Sequence, residues 1–453
     1  MLRTIELPIW LFALILLFAV VTFASHFLFP SVRWFFRRRM ERVVKRVNER
    51  LERPIEPFKL ARRYDMIQRL IYDPEVSHAI ADYAKKNGVP ENVAFEKARS
   101  YAREIVPSFS ATAYFGFAIR IARVLSNALY RVRLGYHDDE GLSGLDKDAT
   151  VIFVMNHRSN MDYVLVTYLA AERSALAYAV GEWARVWPLS RLIKAMGAYF
   201  IRRRSRGDLY RRVLARYVHL ATQAGVTQAM FPEGGLSLDG KLAPPKLGLL
   251  KYITDGYEED GRDVLFVPVA LNYDRVLEDR ILMAADAAGT RRFSARISVV
   301  AGFVFKQLWL RILGRFHRFG YAAVSFGHPV SLRSHVLAHG GAPDAEDLAS
   351  ELMGRIAEVV PVVPVPLLAI VMLAHSNAAK GDLPSLMQAQ LDHMGSAYVH
   401  LPRDDIGYAA EIALKHLCER RILRVADDRV IVDEDQRAAL SYYANSIAHL
   451  VAK

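Results

Sequence analysis

Residues 151–170, VIFVMNHRSNMDYVLVTYLA, decide the fold of the region around them. The first four, VIFV, are β-branched or aromatic, which is the composition of a buried strand. The polar run NHRSN then ends the apolar pattern, and apolar residues resume from Tyr163 to Leu169 at a mixed spacing that suits a packed helix. The stretch therefore predicts a strand, a turn and a helix, with His157 on the turn.

His157 and Asp162 are the residues of this stretch that could carry chemistry. On one continuous helix, at about 100° per residue, their side chains would lie roughly 140° apart and could not cooperate. If His157 is on the turn and Asp162 in the first helical turn, the chain folds back and the carboxylate can reach the imidazole. A carboxylate on one ring nitrogen leaves the other free as a general base. The alternative is that His157 caps the helix and Asp162 is a solvated acid.

Composition and charge restrict the class of protein. A chain of 453 residues can bury a large core and form two or three domains. The formal charge of +12 implies an anionic partner, which could be nucleic acid, an anionic membrane surface or a phosphorylated substrate. The single cysteine, Cys418, excludes an internal disulfide framework and a multi-cysteine metal site. We predict no metal site.

The N-terminal segment has the pattern of a membrane anchor. Residues 7–29 form an almost uninterrupted apolar run of about 23 residues, long enough to cross a bilayer as a helix. A cluster of arginines and lysines follows at once, and by the positive-inside rule it places the body of the protein in the cytoplasm. A cleaved signal peptide is the alternative, but the run is too long and no A-x-A site follows it.

Three further blocks follow the first one along the chain. Residues 197–204, GAYFIRRR, predict a strand that opens onto an arginine cluster, and an arginine fork there suits phosphate recognition, although a charge run is more often a solvated face. Residues 231–246, FPEGGLSLDGKLAPPK, have the glycine and proline content of a functional loop, or of a plain turn. Residues 264–278, VLFVPVALNYDRVLE, predict a strand, and Pro268 suggests an edge or strand-end position.

Taken in order, these four blocks resemble those of the glycerolipid acyltransferases, in particular the bacterial and mitochondrial glycerol-3-phosphate acyltransferases. HRSNMD matches their H-x4-D block, GAYFIRR their GAFFIRR block, the 231–246 loop their EGGRSRTGR...PPK block, and VPVALNYDRVLE their VPVxxxYDRxxE block. The resemblance runs from about residue 95 to the C-terminus and is densest over residues 151–278. It implies an α/β fold with a mixed sheet and flanking helices, the glycerolipid acyltransferase fold.

The resemblance also implies an activity and a site. The expected reaction moves a fatty acyl group from acyl-CoA or acyl carrier protein to the sn-1 hydroxyl of glycerol 3-phosphate, with no other cofactor and no nucleic acid as partner. His157 and Asp162 are the implied catalytic residues. The implied substrate-binding residues are Arg158, Arg202, Arg203, Glu233, Gly234, Gly235, Ser237 and Lys246. The implied location is the cell inner membrane, with a single pass, contact with membrane lipids and the catalytic body in the cytoplasm.

Two positions depart from the family pattern, so other acceptors and other functions remain alternatives. Leu236 and Leu238 stand where arginines are usual, which removes two cations from the expected anion site and leaves the phosphate to Arg158, Arg202 and Lys246. Another acceptor, lysophosphatidate or dihydroxyacetone phosphate, is therefore an alternative. So is a non-catalytic membrane adaptor, because fold does not determine function. The charge alone would also allow a nucleic-acid binder.

The pattern along the chain predicts four regions. They are a transmembrane anchor at residues 7–29, a helical N-terminal region at 30–146, an acyltransferase catalytic domain at 147–340 and a mostly helical C-terminal domain at 341–453. In the last of these, RILRVADDRVIV predicts a hairpin turning at Asp427 and Asp428, which makes this a small α+β region.

Overall fold

The computed structural model describes residues 8–137, 144–169, 175–181, 189–202, 207–289 and 318–451, with residues 302 and 309; the side chains of residues 23–37 and 40 lie outside this description. The chain divides into two compact units, Met1–Pro54 and Ile55–Lys453. Arg203, one of the predicted site residues, lies outside the described residues.

The first unit is dominated by helix α1 (Ile9–Asn48). Its first turns expose large apolar side chains, among them Trp10 and Phe18, which are 66% and 72% exposed. Within the described part of the chain, no helix has both the length and the apolar character needed to cross a membrane. The described residues therefore do not support the spanning segment predicted at residues 7–29, of which residue 7 and the side chains of residues 23–29 lie outside the description.

A mixed sheet forms the centre of the second unit. Among the described residues its strands are β1 (Arg131–His137), β2 (Thr150–Met155), β3 (Ala177–Gly181), β4 (Tyr199–Ile201), β5 (Gln228–Met230), β6 (Val264–Tyr273), β7 (Tyr321–Phe326) and β8 (Val330–Ser331). They lie in the order β1-β7-β6-β2-β5-β3-β4, with β8 on β6. Strand β7 runs antiparallel to β6, whereas β6, β2, β5, β3 and β4 run parallel, so the predicted mixed α/β sheet is confirmed.

Strand β2 is buried along its whole length, as its β-branched sequence predicts. It pairs in parallel register with β6 from Thr150–Val264 to Met155–Val269. Because parallel strands end at the same edge of a sheet, the turn after β2 and the turn after β6 lie at one edge. The polar residues that follow the two strands are thereby brought together.

Helices flank this sheet. Those of the second unit are α2 (Pro57–Leu60), α3 (Arg63–Ile71), α4 (Pro74–Asn87), α5 (Glu91–Ile105), α6 (Ile119–Leu129), α7 (Met161–Leu169), α8 (Leu189–Ala195), α9 (Asp208–Gln223), α10 (Gly248–Thr254), α11 (Asp279–Ala287), α12 (Leu332–Ala338), α13 (Ala345–Glu358), α14 (Pro364–Ala374), α15 (Leu383–Met394), α16 (Ile406–Glu419) and α17 (Arg437–Ala444). A π-helix at Thr112–Ala118 precedes α6, and single 3-10 turns lie at Lys380–Asp382, Pro402–Asp404, Glu434–Gln436 and Ala448–Leu450. Helix α7 confirms the helix predicted after the His157 turn.

The position predicted for Pro268 is wrong. The residue lies inside β6, which is an interior strand with β2 on one side and β7 and β8 on the other. The pairing of β6 with β8 involves Leu265 and Phe266, and the pairing with β7 starts at Val269. Pro268 falls between these two ladders, where the missing N–H leaves no gap in the hydrogen bonding, and its carbonyl accepts from Gly327 at 2.8 Å.

The C-terminal part is α-helical with a small sheet. Strands β9 (Asn377–Ala379), β10 (Leu423–Ala426) and β11 (Arg429–Val432) form it in the order β10-β11-β9. The predicted hairpin is confirmed, since β10 and β11 are antiparallel and Asp427 and Asp428 have φ values of 50° and 60° in the turn between them. Helix α14 is almost wholly buried at the centre of this part.

Candidate active site

The turn after β2 is fastened to β6 by one side chain. Asn156 donates from Nδ2 to the carbonyl of Leu271 at 3.0 Å, and the N–H of Leu271 donates back to Oδ1 of Asn156 at 2.8 Å. Asn156 is 1% exposed, so both bonds are shielded from water. The start of the turn is therefore held rigidly to the neighbouring strand, and His157 follows directly.

His157 and Asp162 are in contact, as the folded-back turn predicts. Nδ1 of His157 lies 2.9 Å from Oδ2 of Asp162, and the two residues are 3% and 0% exposed. The same carboxylate oxygen accepts the backbone N–H groups of Arg158 at 2.7 Å and Ser159 at 3.0 Å. Asp162 thus closes the turn onto the first residues of α7 while it orients the imidazole.

The second oxygen of Asp162 has its own donor, Tyr273. The hydroxyl of this residue, at the end of β6, donates a short hydrogen bond to Oδ1. Burial holds the pKa of Tyr273 well above its usual range, so the hydroxyl stays protonated and remains a donor. Both oxygens of Asp162 are thereby engaged. Tyr273 lies in the fourth block of the sequence, but reasoning from the sequence did not single it out.

The imidazole of His157 lies between aromatic rings. It stacks on Phe231 with a centroid distance of 4.0 Å and meets the edge of Tyr163 at 5.5 Å. Among the described residues no side chain or backbone group pairs with its second nitrogen, Nε2. An imidazole held at Nδ1 by a carboxylate and open at Nε2 can take a proton from a hydroxyl group placed beside it.

Glu233 links the loop of residues 231–246 to the His157 turn. One carboxylate oxygen accepts the backbone N–H of His157 at 2.9 Å, and the other accepts the N–H of Ala243 at 3.1 Å. The N–H of Ser237 in turn donates to the carbonyl of His157 at 2.9 Å. Burial raises the pKa of Glu233 to about 7, and the two N–H donors oppose this rise. The loop and the turn are therefore one hydrogen-bonded assembly.

Glu278 also forms hydrogen bonds to the turn that carries His157. It accepts a hydrogen bond from the hydroxyl of Ser159 at 2.7 Å and another from the Nδ2 group of Asn160 at 3.1 Å. The residue is 2% exposed, and burial raises the pKa of its carboxyl group. Glu278 ends the fourth block, so the signal for it was present in the sequence, but its partners were not predictable.

Arg158 is the predicted anion-binding residue that lies in this assembly. It is 2% exposed, its Nη1 donates to the carbonyl of Gly240, and its guanidinium lies 5.3 Å from the ring centroid of Tyr442. Its Nε and Nη2 atoms are buried and have no hydrogen-bond partner in the part of the chain that the structure describes.

The other predicted substrate-binding residues are placed differently. Arg202, at the end of β4, forms a bidentate ion pair with Glu104 of α5, with distances of 2.9 and 2.6 Å. Its guanidinium also lies 5.2 Å from the ring centroid of Tyr101. No described contact joins Arg202 to the His157 turn. Lys246 is exposed at the end of the loop, and its backbone N–H donates to the carbonyl of Pro232 at 2.7 Å.

The two glycines that follow Glu233 complete the set of predicted loop residues. Gly234 has a φ of 65°, a left-handed conformation that favours glycine, and a methyl group there would lie 2.7 Å from Cδ of Lys246. Gly234 and Gly235 are half-buried. In the described residues, no cluster of three or more His, Cys, Asp or Glu side chains could hold a metal ion.

Two family models match parts of this chain. Residues 137–272, which contain the His157 turn, the loop and most of β6, match the family model described as Acyltransferase. Residues 309–453 match the model described as Glycerol-3-phosphate acyltransferase C-terminal region. Residues 137–272 thus match an acyltransferase domain, and residues 309–453 match the C-terminal region of glycerol-3-phosphate acyltransferases.

Relatives with that name align along most of the chain. It is 26% identical to the glycerol-3-phosphate acyltransferase of Xanthomonas campestris pv. campestris over 91% of its own length and 48% of the relative's. It is 28% identical to that of Aeromonas hydrophila subsp. hydrophila over 87% of its own length and 51% of the relative's. The chain thus spans about half the length of the curated relatives it matches.

Among solved structures, the 1-acyl-sn-glycerophosphate acyltransferase of Thermotoga maritima matches 65% of this chain and 98% of that one. The sequence identity is 18% and the TM-score is 0.29.

Proposed function

We propose that this protein transfers a fatty acyl group from acyl-CoA or acyl carrier protein to the sn-1 hydroxyl of glycerol 3-phosphate, forming lysophosphatidate for phospholipid synthesis. The observation that carries this proposal is the buried contact of 2.9 Å between His157 Nδ1 and Asp162 Oδ2, inside an acyltransferase domain. The name shared by the relatives supports glycerol 3-phosphate as the acceptor.

The proposed mechanism needs no covalent enzyme intermediate. The Nδ1–H group of His157 donates a hydrogen bond to Asp162. Its Nε2 atom takes the proton of the acceptor hydroxyl as the hydroxyl oxygen attacks the thioester carbonyl. The tetrahedral intermediate then collapses, the C–S bond breaks, and the imidazolium returns the proton to the leaving thiolate. Asp162 stabilises the imidazolium between the two steps. The products are the ester and a free thiol.

The predicted substrate-binding residues divide into two groups in this proposal. Arg158 binds the phosphate of the acceptor, because its Nε and Nη2 atoms have no hydrogen-bond partner in the described part of the chain, and Lys246 adds a second cation from the exposed end of the loop. Glu233 and Ser237 act on the turn instead, since both bond to the backbone of His157. Arg202 serves mainly as the partner of Glu104, and Gly234 and Gly235 let the loop take its conformation.

We further propose that the protein acts at the cell inner membrane with its catalytic part in the cytoplasm. The exposed apolar side chains of α1 and the arginines and lysines that follow them support this location. An acyl chain is a membrane component, so contact with lipid keeps the site near its product.

A different acceptor is the second candidate. Leu236 and Leu238, which stand where the family usually has arginines, are half-buried and pack against the core. An apolar wall at this point favours a less polar acceptor such as lysophosphatidate.

The test is acyl transfer by the purified protein in detergent. Palmitoyl-CoA is supplied with labelled glycerol 3-phosphate, with lysophosphatidate in a parallel reaction, and His157→Ala is the control. We expect lysophosphatidate to be formed by the unmodified protein alone. Product from lysophosphatidate only would change the acceptor and keep the mechanism. Absence of turnover with either acceptor, also with acyl carrier protein as donor, would refute the enzymatic proposal and favour a membrane adaptor.

A further inference from the structure

The guanidinium of Arg158 is enclosed by two segments that are far apart in the sequence. On one side its Nη1 donates to the carbonyl of Gly240 in the loop, and on the other it lies 5.3 Å from the ring centroid of Tyr442 in helix α17. Arg158 and Tyr442 are 2% and 1% exposed. A cation over an aromatic face is attracted most strongly when water is excluded, as it is here.

The C-terminal helix meets this loop in two further places. A methyl group at Gly240, which has a φ of 90°, would lie 2.0 Å from the carbonyl oxygen of Tyr442, so the two backbones are in close contact. Nδ2 of Asn445 donates to the carbonyl of Asp239 at 2.8 Å. The loop that bonds to the backbone of His157 is therefore held in turn by residues 442–445.

The other side of the helix is tied to the residues that follow β6. The hydroxyl of Tyr443 donates to Asp279 and accepts from Arg420 at 2.6 Å and from the N–H of Val276 at 3.3 Å. This fastening restricts movement of Tyr442 relative to the turn after β6. The ring below Arg158 is thus a fixed surface.

We propose that Tyr442 is a positioning residue that holds the guanidinium of Arg158 so that its Nε–H and Nη2–H groups bind the phosphate of the acceptor. The inference rests on the proposed function and adds to it a residue outside the acyltransferase match, within the C-terminal match at 309–453. Two buried guanidinium nitrogens without a partner point to an anion that accepts their N–H groups.

The tyrosine hydroxyl provides a matched control. This oxygen is buried and has no hydrogen-bond partner among the described residues. Tyr442→Phe therefore keeps the ring and removes only a group that makes no bond. Tyr442→Met keeps a buried apolar side chain of adequate size but removes the ring face. The two variants separate the ring from the hydroxyl.

The experiment measures KM and kcat for both substrates with each variant, together with the rise of Tm on addition of inorganic phosphate or glycerol 3-phosphate. For Tyr442→Met we expect the KM for glycerol 3-phosphate to rise about 10-fold. The KM for palmitoyl-CoA should be unchanged, and the phosphate-induced rise in Tm should be lost. Tyr442→Phe should behave as the unmodified protein does.

Other outcomes distinguish failure of the positioning role of Tyr442 from failure of the proposed function. An equal loss with both substrates, with the phosphate-induced rise in Tm retained, would mean that Tyr442 only supports the fold. Absence of a rise in Tm for the unmodified protein would overturn the anion site. If glycerol 3-phosphate is not acylated but the rise in Tm depends on the ring, the proposed acceptor fails and the positioning role stands. Should Tyr442→Met not fold, Tyr442→Leu, which also keeps a buried apolar side chain and removes the ring face, tests the same loss.

Discussion

Nδ1 of His157 lies 2.9 Å from Oδ2 of Asp162, and that oxygen also accepts the N–H groups of Arg158 and Ser159. One carboxylate oxygen therefore shapes the turn and orients the imidazole at the same time. A change at Asp162 should affect catalysis through charge as well as through geometry.

Asp162→Asn should lower kcat by about 10²- to 10⁴-fold, because the amide can keep hydrogen bonds to the turn but cannot stabilise an imidazolium. Single-turnover acyl transfer at saturating substrate measures this. Asp344→Asn is a suitable control, since Asp344 caps the distant helix α13 by accepting from the N–H of Glu346 at 2.7 Å. Equal activity of Asp162→Asn and the unmodified protein would contradict the role of the pair.

Tyr273→Phe should reduce kcat by about 10-fold, because it removes a hydrogen bond to a buried charged oxygen of Asp162. Tyr130→Phe is the matched control. Its ring lies 5.4 Å from that of Tyr273, but its hydroxyl donates to the backbone carbonyl of Arg275 at 2.8 Å. Steady-state kinetics should show the loss in the first variant alone, and equal losses in both would indicate general damage to the core.

Glu233→Gln should gain stability relative to the unmodified protein as pH rises from about 4.5 to about 7. Burial raises the pKa of Glu233, so the folded carboxyl holds a proton in this range that the unfolded one has lost. Its stabilising contribution is complete below the ordinary pKa and is lost as pH rises through about 7. Glutamine has no such titrating proton. The free energy of unfolding of the variant, relative to that of the unmodified protein, can therefore rise by about 3 kcal/mol over this range.

Thermal unfolding of both proteins at intervals from pH 4 to pH 9 follows this difference. Any hydrogen bond that glutamine fails to make shifts the whole curve without changing its slope, so the slope carries the test. A difference in Tm that does not vary with pH would show that the Glu233 carboxyl keeps its ordinary pKa.

Arg202→Met should destabilise the fold by about 3 kcal/mol, since it removes the bidentate arginine partner of the largely buried Glu104 carboxylate. The side chain of Glu104 is 8% exposed and that of Arg202 is 32% exposed. Adding Glu104→Leu should restore most of this stability, as a double-mutant cycle by thermal unfolding would measure. The KM of the double variant for glycerol 3-phosphate is the second readout. A normal KM would limit Arg202 to the ion pair, whereas a raised KM in a stable protein would show that it also binds phosphate.

Local patterns in the sequence predicted β2, the turn, α7 and the β10–β11 hairpin, because each of these depends on residues close together in the chain. The same patterns failed at Pro268, where the strand order around β6 decides whether a missing N–H matters. The arginine cluster at residues 202–204 suggested phosphate recognition, but the partner of Arg202 is Glu104, 98 residues away. Charge in a sequence does not reveal which carboxylate neutralises it.

The sequence by itself determined that His157 and Asp162 flank a strand-to-helix turn and that three more blocks accompany them, since strand composition and residue spacing are local properties. Only the tertiary structure decided that Tyr273 bonds to Asp162 and that Tyr442 lies beneath Arg158. It also decided that Glu233 and Glu278 both accept hydrogen bonds from the turn. The physical reason is that these contacts join segments separated by tens to hundreds of residues, and the order of strands in the sheet and the packing of α17 bring them together.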